Sequence, residues 1–526
     1  MRLIRWIALL AALAVAGFVI VEGSLVDYRT AVPPLTQIYS PTFGHVAAPL
    51  PVRRMLSRLQ QHLESPGGEA FLRSTVPSES GALWLALVIA LLVGFDFERP
   101  DNPRNVDLIL MQALGFAFFE VLSFLRELEQ TEFVQLMRWV FVAIFALNFL
   151  LLVRALWRIH RPFTAPWRPS LPRRALVAVA LAMIACDVMT AIVREPDDAG
   201  YFVNLGAQRL RERGRLPYGD PMLTGTPGAA YGPLLYVAHV PFQLMLAPHG
   251  VNAESPDRPT LGPASTYRLP PPLATKLCTI VFHLCGIAAL FFTARRLADS
   301  ATAWALVALY AGSAFVLGVG GDGYLIGGMT YASHIAPAAA TLVAFALLGR
   351  PMASGIALAA AAGVGFYPAF MAPAWLGYYW NRERDRWRFL IGFVAAMLAI
   401  GVPVLLLSRP AGGRGLIGTI LWDTFGHHTD PKGYGASPFS FWGQQQGVRG
   451  WLMHPFVGDS GFTSPVFLSF LVLVVAGFWI VRRRRSAQQL ALATAAVAIA
   501  ASLLKIHSTG TYVEWSYPFL LLGFFA

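Results

Sequence analysis

Two polar stretches concentrate the side chains whose types and spacing could do chemistry. The first reads VREPDDAGYFVNLGAQRLRERGRLPYGD, residues 193–220, and places Asp197 and Asp198 directly after an apolar run. A carboxylate at the mouth of a lipid-facing cavity is partly desolvated, which raises its basicity toward that of a general base. The same pair at a helix start would cap free backbone donors and favour the helix dipole. Both readings can hold for different members of the pair. Tyr201 follows, and then Arg209, Arg211, Arg213 and Arg215, expected on one helix that presents them to the membrane surface. Guanidinium groups there would either bind a phosphate bidentately or meet anionic headgroups with no specific ligand.

The second stretch is LWDTFGHHTDPKGYGASPFSFWGQQQ, residues 421–446. It combines Asp423, His427, His428, Asp430 and Lys432 with Tyr434, Phe441, Trp442 and three glutamines beginning at Gln444. Aromatic rings and amides suit a sugar pocket, and a histidine beside a carboxylate is an acid–base or phosphate-binding group near neutral pH. A plain polar loop remains the simpler alternative. The paired histidines lack a complete set of metal ligands, so no cofactor is expected and a divalent cation has no support. Smaller signals are Asp322 in GGDGYLIGG and Lys505, His507, Tyr512 and Glu514 in KIHSTGTYVEW. Taken singly, a Lys, Tyr or Trp at such a place is usually a membrane anchor.

What must position these residues is a set of apolar blocks. The 526 residues are 56% hydrophobic and 13% charged, about half the charge of a soluble chain. Blocks of about 17–22 apolar residues match a ~30 Å hydrocarbon core, which predicts an all-α polytopic membrane protein. Spans are expected near 3–22, 81–97, 106–125, 134–157, 174–193, 273–294, 300–319, 332–349, 353–366, 388–407, 465–482, 487–505 and 512–526. Residues 367–381, after Tyr367-Pro368, are expected to return as a re-entrant segment, and 231–248 to lie in the interface. With Arg2 and Arg5 inside, every short arginine-rich loop falls on the cytoplasmic side, as the positive-inside rule requires. The polar loops 194–271 and 408–464 then share the external face. The net charge of +12 is thereby assigned to topology, not to nucleic acid. Three cysteines, Cys186, Cys278 and Cys285, lie in apolar blocks with no metal or disulfide spacing.

Several of these features together resemble the GT-C class of integral-membrane glycosyltransferases. They are the acidic pair followed by Tyr201 and the Gly214-to-Tyr218 turn, and Tyr231-Gly232-Pro233-Leu234 at the start of an interfacial helix. They continue through ALFFTARRLADSATAWALVALYAGSAF and GIALAAAAGVGFYPAFMAPAWLGYY. The resemblance covers roughly 174–526 and is nearest to the bacterial polyprenol-phosphate-sugar-dependent members, such as the phosphatidylinositol mannoside mannosyltransferases. It implies a GT-C-like fold of about 13 spans with interfacial and re-entrant helices. It divides the chain into a core at 171–526 and an added transmembrane module at 1–170, because the span leading into the acidic loop is here the fifth.

The function implied is inverting transfer of a monosaccharide from a polyprenyl-phosphate donor to a lipid, glycan or protein acceptor. The site would face the periplasm from a bacterial inner membrane. Asp197 or Asp198 would deprotonate the acceptor, and His427 and His428 would stabilise the leaving phosphate. Tyr201, Arg209, Arg213, Tyr231, Asp322, Tyr367, Asp430, Lys432, Trp442, Gln444, Lys505, His507 and Tyr512 would hold substrate. Competing readings are a transporter or flippase for a lipid-linked sugar, a non-catalytic assembly subunit, and an acyltransferase using His427 or His428.

Overall fold

The computed structural model describes residues 79–125, 130–163, 165–193, 198–221, 223, 227–245, 272–317, 328–330, 332–426, 441, 465–484, 486–505 and 510–526. Among the described residues every regular element is helical and there is no strand. The helices are α1 (Glu79–Ile89), α2 (Pro103–Leu125), α3 (Gln130–His160), α4 (Arg173–Val193), α5 (Asp198–Arg213) and α6 (Pro233–Met245). Next come α7 (Pro272–Leu297), α8 (Ser300–Ala311), α9 (Ala332–Ala346), α10 (Pro351–Gly365), α11 (Ala372–Tyr379) and α12 (Glu383–Leu407). The last four are α13 (Leu416–Leu421), α14 (Pro465–Arg484), α15 (Ala487–Leu504) and α16 (Tyr517–Phe525).

Among the described residues, five segments are long and apolar enough to cross a membrane: Trp139–His160, Arg173–Ile192, Leu273–Leu297, Glu383–Leu407 and Ala487–Leu504. Five further apolar helices are shorter. The expected span at 3–22 lies outside the described residues. Local chemistry explains several helix ends. Asp299 caps α8 by accepting from the Thr302 N–H at 2.7 Å, and Ser486 with Gln489 forms a capping box at the start of α15. Pro351 opens α10 where no intrahelical donor is needed.

α10 stops at Phe366, whose φ of 56° is an unusual left-handed conformation for a bulky residue. A 3₁₀ turn, Tyr367–Met371, and α11 follow, so the chain breaks at Tyr367-Pro368, where the sequence places the returning segment. α6 begins at Pro233 and carries Pro241 inside it, within the segment expected to lie in the interface.

Packing separates a core from a rim. α10 packs along α12, α7 along α9, α8 on α4, and α15 on α3. α15 is largely enclosed, whereas few residues of α12 are fully buried in the protein. Leu398 and Leu406 on α12 are 61% and 75% exposed, and Val472 on α14 is 67% exposed. Large aliphatics bare to this degree suit contact with lipid chains and not with water.

Candidate functional site

Two assemblies meet at one end of the bundle. The first is a junction between the long polar loops. α5 ends at Arg213, and the turn after it is stitched to the end of α12. Leu216 N–H donates to Leu407 O at 3.1 Å, and Arg409 N–H donates to Tyr218 O at 3.1 Å. The Gly219 N–H then donates to Asp423 Oδ2 at 2.8 Å. Gly219 has φ 75°, and a Cβ there would overlap the Arg409 carbonyl, so the turn requires glycine twice over. Asp423 belongs to a π-helical turn, Trp422–Gly426, that continues α13 into the histidine-bearing stretch. The acidic first loop and the second loop are therefore fastened together.

Tyrosines bind this junction to α6. Tyr218 donates its hydroxyl to Tyr231 O at 2.6 Å, Tyr231 N–H donates to the Tyr236 hydroxyl at 3.1 Å, and that hydroxyl donates to Gly228 O at 2.8 Å. Gly232 abuts the backbone of Gly363 and Val364 so closely that a Cβ would not fit. The start of α6 thus lodges against the end of α10, two residues before the Phe366 break. α6 is also clamped to α7. His239 Nδ1 bonds Leu235 O at 2.8 Å and its Nε2 lies 3.1 Å from Thr275 Oγ1. A carbonyl only accepts, so Nδ1 carries the proton and Nε2 accepts from the threonine. Burial pushes the His239 imidazole down to about 4, which keeps it neutral.

The second assembly is a buried polar seam beyond the break. Asp187 Oδ2 on α4 lies 2.9 Å from His283 Nε2 on α7, and both side chains are wholly buried. The His283 ring stacks on Tyr310 of α8 with centroids 5.7 Å apart. Tyr310 is within electrostatic reach of both Asp187 and Glu514. Glu514 sits in the 3₁₀ turn Val513–Trp515, ahead of α16. One of its oxygens accepts from Gly328 N–H at 2.8 Å, and the other lies 3.4 Å from His334 Nδ1 on α9. An aromatic wall closes the seam: Tyr367 stacks on Trp515 at 4.0 Å, and Tyr512 lies 4.5 Å from both Trp515 and His334. Lys505 Nζ stands 3.7 Å above the Tyr512 ring, a cation–π contact.

Among the described residues, six polar atoms of this seam are buried with no hydrogen-bond partner: Asp187 Oδ1, His283 Nδ1, Glu514 Oε2, the Tyr310 and Tyr367 hydroxyls, and Trp515 Nε1. Each such group costs about 1–3 kcal/mol when it is left dry, and native interiors hold few of them. Two carboxylate–imidazole pairs and two phenols give the seam proton donors and acceptors in a medium that excludes water.

The sequence candidates divide accordingly. Tyr367, Lys505 and Tyr512 come together in the seam. Tyr231 lies at the junction, where its backbone is already bonded. Arg209 is buried, 3.7 Å from Asp220 Oδ2, and does not face outward; half-exposed Arg213 reaches the same oxygen at 3.8 Å. Arg215 lies past the helix. Asp198 is the first residue of α5, and Tyr201 lies in its first turn. Asp197, Asp322, His427, His428, Asp430, Lys432, Trp442, Gln444 and His507 lie outside the described residues. Sequence reading missed His283, His334, Tyr310 and Trp515 as members of the site. The available signal was a histidine inside the apolar blocks 273–294 and 332–349 and a tyrosine inside 300–319.

Among the described residues no group of three His, Cys, Asp or Glu side chains is placed to hold a metal. Comparison with family models, with curated proteins and with solved structures finds no match for this chain.

Proposed function

We propose that the protein transfers a monosaccharide from a polyprenyl-phosphate carrier to a hydroxyl acceptor, at the membrane face where its two long polar loops meet. The observation that carries this reading is the junction at Gly219–Asp423. It fastens the turn after α5 to the π-helical turn that leads toward the histidine-bearing stretch, beside a seam rich in unsatisfied polar groups. A carrier lipid would lie among the exposed aliphatics of the rim while its headgroup reached the junction.

In this mechanism Asp197 or Asp198 takes the proton of the acceptor hydroxyl, whose oxygen attacks the anomeric carbon. The bond from that carbon to the phosphate oxygen breaks, and configuration inverts. His427, His428 and the first-loop arginines stabilise the leaving phosphate as its charge develops. These events would face the periplasm from a bacterial inner membrane, a side that the arginine-rich short loops on the opposite face support. The test is to incubate the purified protein with radiolabelled polyprenyl-phosphate mannose, glucose or arabinose and a crude lipid acceptor extract. Transfer of label to the extract supports the reading, and donors that remain intact under all conditions refute it.

One observation favours a second reading, transport of a lipid-linked sugar. Ionisable pairs buried inside a helix bundle, here Asp187–His283 and Glu514–His334, are what transporters keep for proton or substrate passage. The readings separate in vesicles. A transporter moves labelled lipid between leaflets without changing it, and a transferase consumes it.

A further inference from the structure

A cluster of arginines stands at the other end of α16 from Glu514, about 13 Å away along the helix axis. Arg104 of α2 donates from Nε to Phe524 O at 2.9 Å and from Nη2 to Ala165 O at 2.7 Å. Asp107, one turn further on and fully buried, receives Arg154 Nε at 2.6 Å, and its second oxygen lies 3.8 Å from Arg158 Nε. Arg154 also donates to Pro103 O at 3.2 Å. Phe163 is held between two guanidinium groups, with Arg104 4.1 Å and Arg158 3.9 Å from its ring centroid. Arg158 is only 9% exposed, yet its buried Nε has no hydrogen-bond partner, and its one bond, to Arg161 O, is long at 3.5 Å.

Three guanidinium groups here face Asp107, and Asp96 lies within electrostatic reach of Arg104, so one positive charge (three minus two) is left uncompensated in a largely buried cluster. Such an excess is costly unless an anion completes it. A guanidinium group is planar and can match phosphate oxygens bidentately. Arg154 is a quarter exposed, which opens the cluster on one side, and it lies where the apolar segment Trp139–His160 approaches its end. We propose that Arg104, Arg154 and Arg158 form a phosphate-binding site, for a group carried either by an anionic lipid headgroup or by a soluble phosphate. This site is separate from the loop junction and does not depend on the glycosyl-transfer reading.

The test uses the full chain in neutral detergent and reads binding by native mass spectrometry and the thermal midpoint. The probes are phosphatidylglycerol, phosphatidylcholine and inorganic phosphate. Phosphatidylglycerol is expected to bind and raise the midpoint, and phosphatidylcholine, whose choline cancels the charge, to do so much less. Arg158→Gln is expected to weaken binding about tenfold, the loss of one charge-assisted contact. Asp107→Asn is expected to tighten it, because the competing carboxylate is gone. A merely structural cluster would not give these opposite signs. If inorganic phosphate alone reproduces the pattern, the site takes a soluble anion; if only the lipid does, it takes a headgroup. Equal effects of the two lipids, no binding at all, or both variants shifting affinity in one direction would each overturn the proposal.

Discussion

The clamp between α6 and α7 gives a prediction whose size follows from one residue. His239 holds its folded-state pKa at about 4, while an unfolded histidine titrates near 6.5. The folded form therefore refuses a proton that the unfolded form accepts as pH falls below about 6.5. Stability drops through that window and levels off below about 4. Between pH 7 and pH 5 the loss is about 2 kcal/mol, from roughly 1.4 kcal/mol per pH unit over the part of the window crossed. His239→Asn keeps a donor for Leu235 O but does not titrate, so it removes this pH dependence while costing some stability at pH 7. The assay is thermal unfolding in detergent at pH 7, 6 and 5 for both proteins. The gap between wild type and variant should narrow by about 2 kcal/mol on going to pH 5. Parallel pH profiles would show that His239 is not the buried neutral clamp described.

Other perturbations separate structure from chemistry. Gly219→Ala should destabilise the loop junction by more than about 1 kcal/mol, since it adds a left-handed penalty to a backbone overlap; limited proteolysis of the turn near 214–221 would report it. Asp423→Ala leaves the Gly219 N–H unpaired and should cost about 1–3 kcal/mol, with faster cleavage at the same turn. Tyr367→Phe removes a hydroxyl that has no hydrogen-bond partner among the described residues, so its stability should stay within about 0.5 kcal/mol of wild type, or rise; a larger loss would mean the hydroxyl is structural. Glu514→Gln keeps the bond from Gly328 but removes the charge facing His334. It should fold normally and leave transfer largely intact, because the proposed steps run through the loop residues; a loss of transfer would tie the seam to the reaction.

Much of the helical layout was legible because apolar length is local information. The block 174–193 became Arg173–Val193, and 273–294 became Pro272–Leu297. The break at Tyr367-Pro368 was readable from proline alone, although the φ of Phe366 that accompanies it was not. Boundaries moved where polar residues joined a helix or glycine cut one. Glu383 and Asp385 favour the N-terminal dipole and extend α12 five residues before the block at 388–407. The block at 300–319 is cut at Gly312, after which a separate short helix, Ala314–Leu317, takes over. The seam was far less legible. Asp187 stood out as a charge inside a span, and Glu514 as one acid in a short polar turn, but neither stretch names a partner. His283 lies 96 residues from Asp187. Its pairing follows from α4 and α7 packing on each other and on α8, and no sequence period encodes that arrangement. The arginines of α5 misled for a related reason. Their spacing suggests an outward row, while Asp220, seven residues beyond the helix, draws Arg209 inward.

The most direct test of the account is transfer of label from polyprenyl-phosphate monosaccharides by the native protein beside Asp197→Asn and Asp198→Asn variants, with donor binding measured in parallel. The account predicts that the native chain moves label and that one of the two variants binds donor normally yet transfers none. Undiminished transfer by both variants would contradict the acidic pair as the base. Donor that binds all three proteins and is never consumed would contradict glycosyl transfer itself.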